Sequence, residues 1–183
     1  MLFKETKVIS TIEAYEQLPE GGKYQFIDEE IIEMPSPEIK HQKVVGKIFR
    51  FLSAYCESLQ LGEVFISPLD VQLNPKNIFQ PDVLFVSNEN MGILQGKRIV
   101  GAPDLVIEVL SESTAYYDYK KKKTVYEAEG VKEYWIVDIE SKTIEVYINS
   151  NEKQLLLFSV FSEEKPLKSA VFSDLLLNVS DIF

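Results

Sequence analysis

The stretch at 104–111, DLVIEVLS, constrains this chain more than any other, because it reads as a buried strand with a carboxylate at its centre. Strand side chains alternate, so Asp104, Val106, Glu108 and Leu110 share one face while Leu105, Ile107 and Val109 share the other. A strand this apolar on both faces is normally covered on both, which calls for a layered fold with elements above and below the sheet. Glu108 is then at least partly buried. An unpaired buried carboxylate is costly or takes up a proton, so this one needs a partner. A salt bridge to a nearby lysine would serve, and so would a role as metal ligand or catalytic acid.

The rest of the chain supplies the layers. Ser10-Thr11-Ile12-Glu13 reads as a capping box opening a short helix to about Leu18, ended by Gly21-Gly22. Residues 24–34 form a small hairpin with its turn at Asp28-Glu29. A long helix follows, with Ser36 as cap and Pro37 in the first turn. Its stripe of Ile39, Val44, Val45, Ile48, Phe51, Leu52, Tyr55 and Leu59 keeps the helical period, and His41, the one histidine, falls on it. Strands are expected at 63–73, 78–87 and 104–111, a helix at 114–129 stopped by Gly130, then strands at 133–140 and 142–149. The tail offers one more strand, QLLLFSVFS, and a short helix near Ser173–Leu177. This order predicts an α/β protein with a mixed β-sheet core flanked by helices, in one domain over 1–183.

Composition narrows the class. The net charge of −10 argues against a broad cationic coat for nucleic acid, and leaves room for an enzyme that meets phosphates locally. The strongest local basic run is Lys120 to Lys123. A single cysteine, Cys56, excludes an internal disulfide and a cysteine-built zinc site; it reads as a core residue in a reducing cytoplasm. The chain has no apolar run near the ~20 residues of a membrane span, and its first residues lack a signal-peptide core. Nucleophile elbow, phosphate-binding glycine loop and dinucleotide fingerprint are all missing.

Several polar residues could join Glu108. Asp82 follows Pro81, which cannot donate to a sheet ladder, so Asp82 sits near a strand start or edge. Asp70 interrupts another strand on the face of Gln72. Acids converging from neighbouring strands would suit Mg²⁺, which takes one or two carboxylates and completes its octahedron with water and phosphate. A phosphodiester site also needs a cation. Leu110, two residues after Glu108 on the same face, stands where a lysine would be well placed and cannot do that work. The lysines of the next helix can substitute. Lys122 shares a helical face with Asp118 and Tyr126, and a solvated Asp118–Lys122 pair is the plainer reading of that spacing. His41 is either a packed core residue or a base at a helix end.

Taken together, these segments resemble the Uma-type branch of the PD-(D/E)XK, restriction-endonuclease-like proteins. The resemblance rests on IDEEIIEMPSPEIKHQKV at 27–44, PLDVQL at 68–73, QPDVLFVS at 80–87, GAPDLVIEVLSEST at 101–114 and YDYKKKKTVYEAEGVKEYWIVD at 117–138. It implies a restriction-endonuclease-like fold and a metal-dependent DNA endonuclease using Mg²⁺ or Mn²⁺. Asp82 matches the PD aspartate and Glu108 the acid of (D/E)XK, the two expected metal ligands. Lys122 matches a helix-borne lysine that replaces the missing strand lysine. His41, Asp70 and Gln80 fall on further positions near that site. Two departures stand out: Gln25 occupies a position where the family carries a glutamate, and Glu29 one where it carries a turn glycine. A homodimer is expected by analogy, with DNA as substrate and no membrane. The rival expectation is a catalytically inactive, dimeric structural or DNA-associated protein that keeps the fold.

Overall fold

A computed structural model describes residues 10–19, 22–111, 115–150, 153–163 and 165–183. A short helix, α1 (Ile12–Glu16), opens it. Its cap is Thr11, which accepts from the Ala14 amide, so the cap expected at Ser10 lies one residue later and the helix ends before Leu18. Gly21 lies outside the described residues. The hairpin β1 (Tyr24–Ile27) and β2 (Glu30–Glu33) turns as expected at Asp28 and Glu29, whose φ values of 51° and 65° show the left-handed pair of a tight two-residue loop. The loop therefore forms without the glycine.

Helix α2 (Ile39–Leu59) buries His41, Val44, Val45, Ile48, Leu52 and Cys56. Its cap residue is Glu38, without a side-chain hydrogen bond, so the helix starts two residues after the expected Ser36 cap. The ends of the stripe, Ile39 and Leu59, are exposed.

The two long strands expected next are each broken in two. The first becomes β3 (Gly62–Ile66) and β4 (Val71–Asn74), the second β5 (Asn77–Phe79) and β6 (Val83–Ser87). A 3₁₀ turn at Asn88–Ile93 leads to the short β7 (Leu94–Gln95) and β8 (Arg98–Val100), then to the central β9 (Leu105–Val109). After a π-helical turn at Tyr117–Lys122 comes α3 (Lys123–Glu129), closed by Gly130 at φ 90°. Strands β10 (Glu133–Asp138), β11 (Thr143–Asn149) and β12 (Leu155–Phe161) follow, with β13 (Pro166–Leu167), β14 (Leu177–Asn178) and a final 3₁₀ turn. No helix forms at 173–177; that segment is turn and the start of β14.

Twelve of these strands form two six-stranded sheets, ordered β2-β1-β5-β4-β8-β7 and β12-β11-β10-β9-β6-β3, and β13 and β14 pair with each other. The chain crosses from the second sheet to the first between β3 and β4, and back between β5 and β6. Hence the broken strands: each half pairs in a different sheet. The crossings touch, with the Ser67 amide donating to the Asp82 carbonyl at 3.1 Å. Strand β9 is buried at every residue, and its two faces serve two cores. Leu105, Ile107 and Val109 pack under α2 with Ile48, Leu52 and Trp135, while Val106 packs with Tyr126, Tyr134 and Ile136. Glu108 points to the second of these.

Candidate active site

Where the two crossings meet, the C-terminal end of β9 and the start of α2 enclose a cavity of about 540 Å³. Its lining includes Gln25, His41, Gln80, Asp82, Glu108 and Lys122, with Ser67 and Pro68 from the other crossing. Of the residues proposed from sequence, five reach this cavity. Asp70 stands behind them: its Oδ1 accepts from Gln80 Nε2 and from the Tyr15 hydroxyl, each at 2.9 Å, and so fixes the Gln80 amide.

Glu108 is 3% exposed. Its Oε1 accepts from Lys122 Nζ at 2.9 Å and from the Tyr126 hydroxyl at 2.8 Å. Lys122 is also buried, and its ammonium lies 2.9 Å from Asp118 Oδ1 as well. The expected Asp118–Lys122 pair therefore exists, on the buried rather than the solvated side of the helix. The π-helical turn produces this arrangement: widening the helix at 117–122 sets Asp118 and Lys122 inward while Tyr116 and Lys120 stay exposed. Nor do the four lysines form a free basic patch, since three of them are engaged. Lys121 pairs with Asp28, Lys122 with Glu108 and Asp118, and Lys123 holds the Leu155 carbonyl.

Asp82 is held by two donors on Oδ2, the Val109 amide at 2.8 Å and His41 Nε2 at 3.2 Å. His41 Nε2 also lies 2.9 Å from the Val109 carbonyl, which requires the ring hydrogen on that nitrogen. His41 is thus packed on the α2 stripe and bonded to Asp82 and the Val109 carbonyl. Its Nδ1 is buried and unpartnered, as is Gln25 Oε1.

The electrostatics follow from burial. Burial pushes the Glu108 carboxyl up, to about 8; the Lys122 ammonium opposes this, and the Asp118 and Asp82 charges add to it. Burial pulls against the charge on Lys122, yet Asp118 and Glu108 outweigh it and hold the ammonium above its ordinary range. Burial likewise opposes charging His41, and the bonds to Asp82 and the Val109 carbonyl reverse the balance upward. Tyr126 is raised well above its usual value by burial and by Glu108, so it remains a neutral donor.

Among the described residues, no three His, Cys, Asp or Glu side chains gather into an enclosed metal cage. Two carboxylates on one cavity remain, with no hydrogen bond to Asp82 Oδ1 or Glu108 Oε2 among the described residues. That donor set suits a hard cation that keeps most of its ligands as water and phosphate. The Val109 carbonyl offers less, since His41 already occupies one side of it.

The mixed α/β fold, with acids at its crossings, is of the restriction-endonuclease-like class expected from the sequence. Within that class the chain belongs to the Uma2 family, described as "Putative restriction endonuclease", whose pattern matches residues 12–180. An uncharacterized protein of Synechocystis is 25% identical over 171 residues, covering 92% of this chain and 96% of that protein. A crystal structure from Anabaena variabilis, described as a "putative nuclease belonging to DUF820", shares the fold with a TM-score of 0.79 at 21% identity. That likeness covers 94% of this chain and 97% of the other. Sequence reasoning did not anticipate the placement of Tyr126 on Glu108 or of Ser67 and Pro68 on the cavity. The spacing of Tyr126 four residues after Lys122 was the one available signal.

Proposed function

We propose that this chain is a divalent-metal-dependent DNA endonuclease that hydrolyses phosphodiester bonds in the cytoplasm. The observation that carries the reading is the delivery of Lys122, from a helix, onto Glu108 within the cavity that Asp82 also lines. Asp82 and Glu108 would hold Mg²⁺ or Mn²⁺, which supplies Lewis-acid polarisation of the phosphodiester and activation of water.

The chain's own residues prepare that chemistry. The Val109 amide and His41 fix Asp82 with one oxygen left open. Tyr126 and Lys122 fix Glu108 in the same way. An ammonium carries three donors; Glu108 and Asp118 take two of those of Lys122, so the third can meet a phosphate oxygen or the attacking water. Because burial excludes bulk water, that positive charge acts with little screening on charge developing at phosphorus. Asp70 positions Gln80 at the rim.

The test is cleavage of plasmid DNA with Mg²⁺ or Mn²⁺ by wild type, Glu108→Ala and Lys122→Ala. The wild type is expected to cut, and each variant to lose at least ~100-fold in rate. Equal cleavage by all three rejects the assignment. One observation favours a second reading, a non-catalytic family member: Glu108 Oε1 is already satisfied by two protein donors, and no three-donor cluster accompanies it among the described residues. That reading predicts no saturable Mn²⁺ binding in a calorimetric titration.

A further inference from the structure

The most exposed apolar surface lies at the far edge of the second sheet. Strand β12 pairs with β11 on one side only. Four of its seven residues, Leu156, Leu157, Phe158 and Val160, are exposed large hydrophobics, at 56%, 52%, 52% and 43%. Edge strands are normally blunted by charge, proline or short length. Here the window from Gln154 to Ser162 carries no charge and no proline. A register shift opposite Val146 and Tyr147, which leaves Phe158 as the extra residue, is the one blunting feature.

One end of this edge is closed. The Leu155 amide donates to Glu127 Oε2 at 2.7 Å, and its carbonyl accepts from Lys123 Nζ at 2.9 Å, so the start of the strand is used by α3. The open part is 156–161. We infer that this segment is a self-pairing edge: two copies of the chain join antiparallel along it and continue the six-stranded sheet into the partner subunit.

Charge selects the second copy as occupant. Each chain carries −10, so two copies repel wherever acids meet, and a strip of nine uncharged residues is where they can approach. The acid opposite Val160 on β11, Glu145, has both oxygens held by hydrogen bonds from Tyr119 and Tyr147, and Glu127 at the start of the strand is engaged by the Leu155 amide. A charged partner would find no complement here. A two-fold axis between Phe158 and Ser159 sets Leu157 against Val160 and Leu156 against Phe161, with Phe158 against Ser159 at the axis, a self-complementary contact. At ~200 Å² for a large apolar side chain, the four half-exposed groups offer roughly 400 Å². That is about half of the ~800 Å² per partner of a standard interface, with the backbone edge and flanks to supply the rest.

Sedimentation equilibrium of the full chain at micromolar concentration tests this. The expected mass is twice 21.0 kDa. Leu157→Lys with Val160→Lys places like charges across the two-fold and is expected to give a folded monomer whose cooperative melting no longer depends on protein concentration. Leu59→Lys, at an exposed apolar residue on α2, is expected to remain dimeric. Should the lysine pair fail to fold, Leu157→Thr with Val160→Thr keeps strand-forming residues and is expected to weaken the dimer by at least about tenfold. A monomeric wild type overturns the inference, and so does a dimer that survives both substitutions. DNA cleavage is read separately, so a monomer that still cuts DNA removes the dimer and leaves the nuclease reading standing.

Discussion

Two glutamates lie buried on adjacent parallel strands of one sheet, Glu108 on β9 and Glu133 on β10. The register pairs Glu133 with Leu105, so the two sit three residues apart along the strands, roughly 10 Å, and on opposite faces. Burial pushes both carboxyls up. Their partners differ in kind. Glu133 receives the Ala170 and Val171 amides and the Ser169 hydroxyl on Oε2, and the Trp135 indole N–H on Oε1. Those donors are backbone and neutral side chains, and they pin the C-terminal segment to the sheet. Glu108 is held on one oxygen by a lysine and a tyrosine, while the other faces a cavity. Burial of a charge therefore does not mark a site; an oxygen left open beside a titratable partner does.

The largest expected effect separates them by stability. Glu133→Ala strands buried amides of 170 and 171 without an acceptor and is expected to cost about 3–5 kcal/mol, a fall in Tm of roughly 10 °C. Mn²⁺ binding should be untouched, since Glu133 does not line the candidate active site. Glu108→Gln keeps an acceptor for Lys122 and Tyr126 and removes one of the crowded acids. Its stability is expected to stay within about 1 kcal/mol of wild type, or to rise, while cleavage is lost. Thermal melts of the two variants side by side check both claims. If Glu108→Gln melts as low as Glu133→Ala, the contrast breaks and Glu108 is a structural residue.

This contrast also shows how far the sequence could be read. The alternation in 104–111 placed Glu108 on its correct face, and the α2 stripe predicted the buried side of that helix, His41 included. Both patterns are local and survive folding. The splitting of 63–73 and 78–87 was hidden, because each half-strand reads alike and only pairing in different sheets separates them. The cavity lies at those crossings, so its walls at Ser67 and Pro68 were hidden as well. The spacing that sets Asp118, Lys122 and Tyr126 on one helical face holds, while the solvated setting that was its plainer reading does not, since an ideal helical wheel does not include a π-helical turn. Glu133 gave no signal at all. Two of its four partners are backbone amides some forty residues on, and backbone groups leave no trace in side-chain patterns.

The smallest effect concerns pH, with metal removed by a chelator. Glu108 holds its proton up to about 8 in the folded chain against an ordinary 4.5, so folding favours proton uptake. Its contribution to stability is complete below 4.5 and is lost as the pH rises through about 8. His41 acts in the same direction: its folded value is raised above 6.5, so its stabilisation is present below that pH and fades above it. Tm is therefore expected to fall steadily across this window. Glu133 is raised too, with four hydrogen bonds opposing burial, so it contributes with the same sign and a smaller weight. Glu108→Gln should remove most of the slope, and Glu133→Gln should lower the whole curve while leaving the slope largely in place. A slope that disappears with Glu133→Gln and persists in Glu108→Gln would reverse the assignment, making the fully bonded carboxyl the titrating one. The expected outcome instead ties pH sensitivity to the glutamate that has a charged partner, because only there does losing a proton place two buried anions around one ammonium.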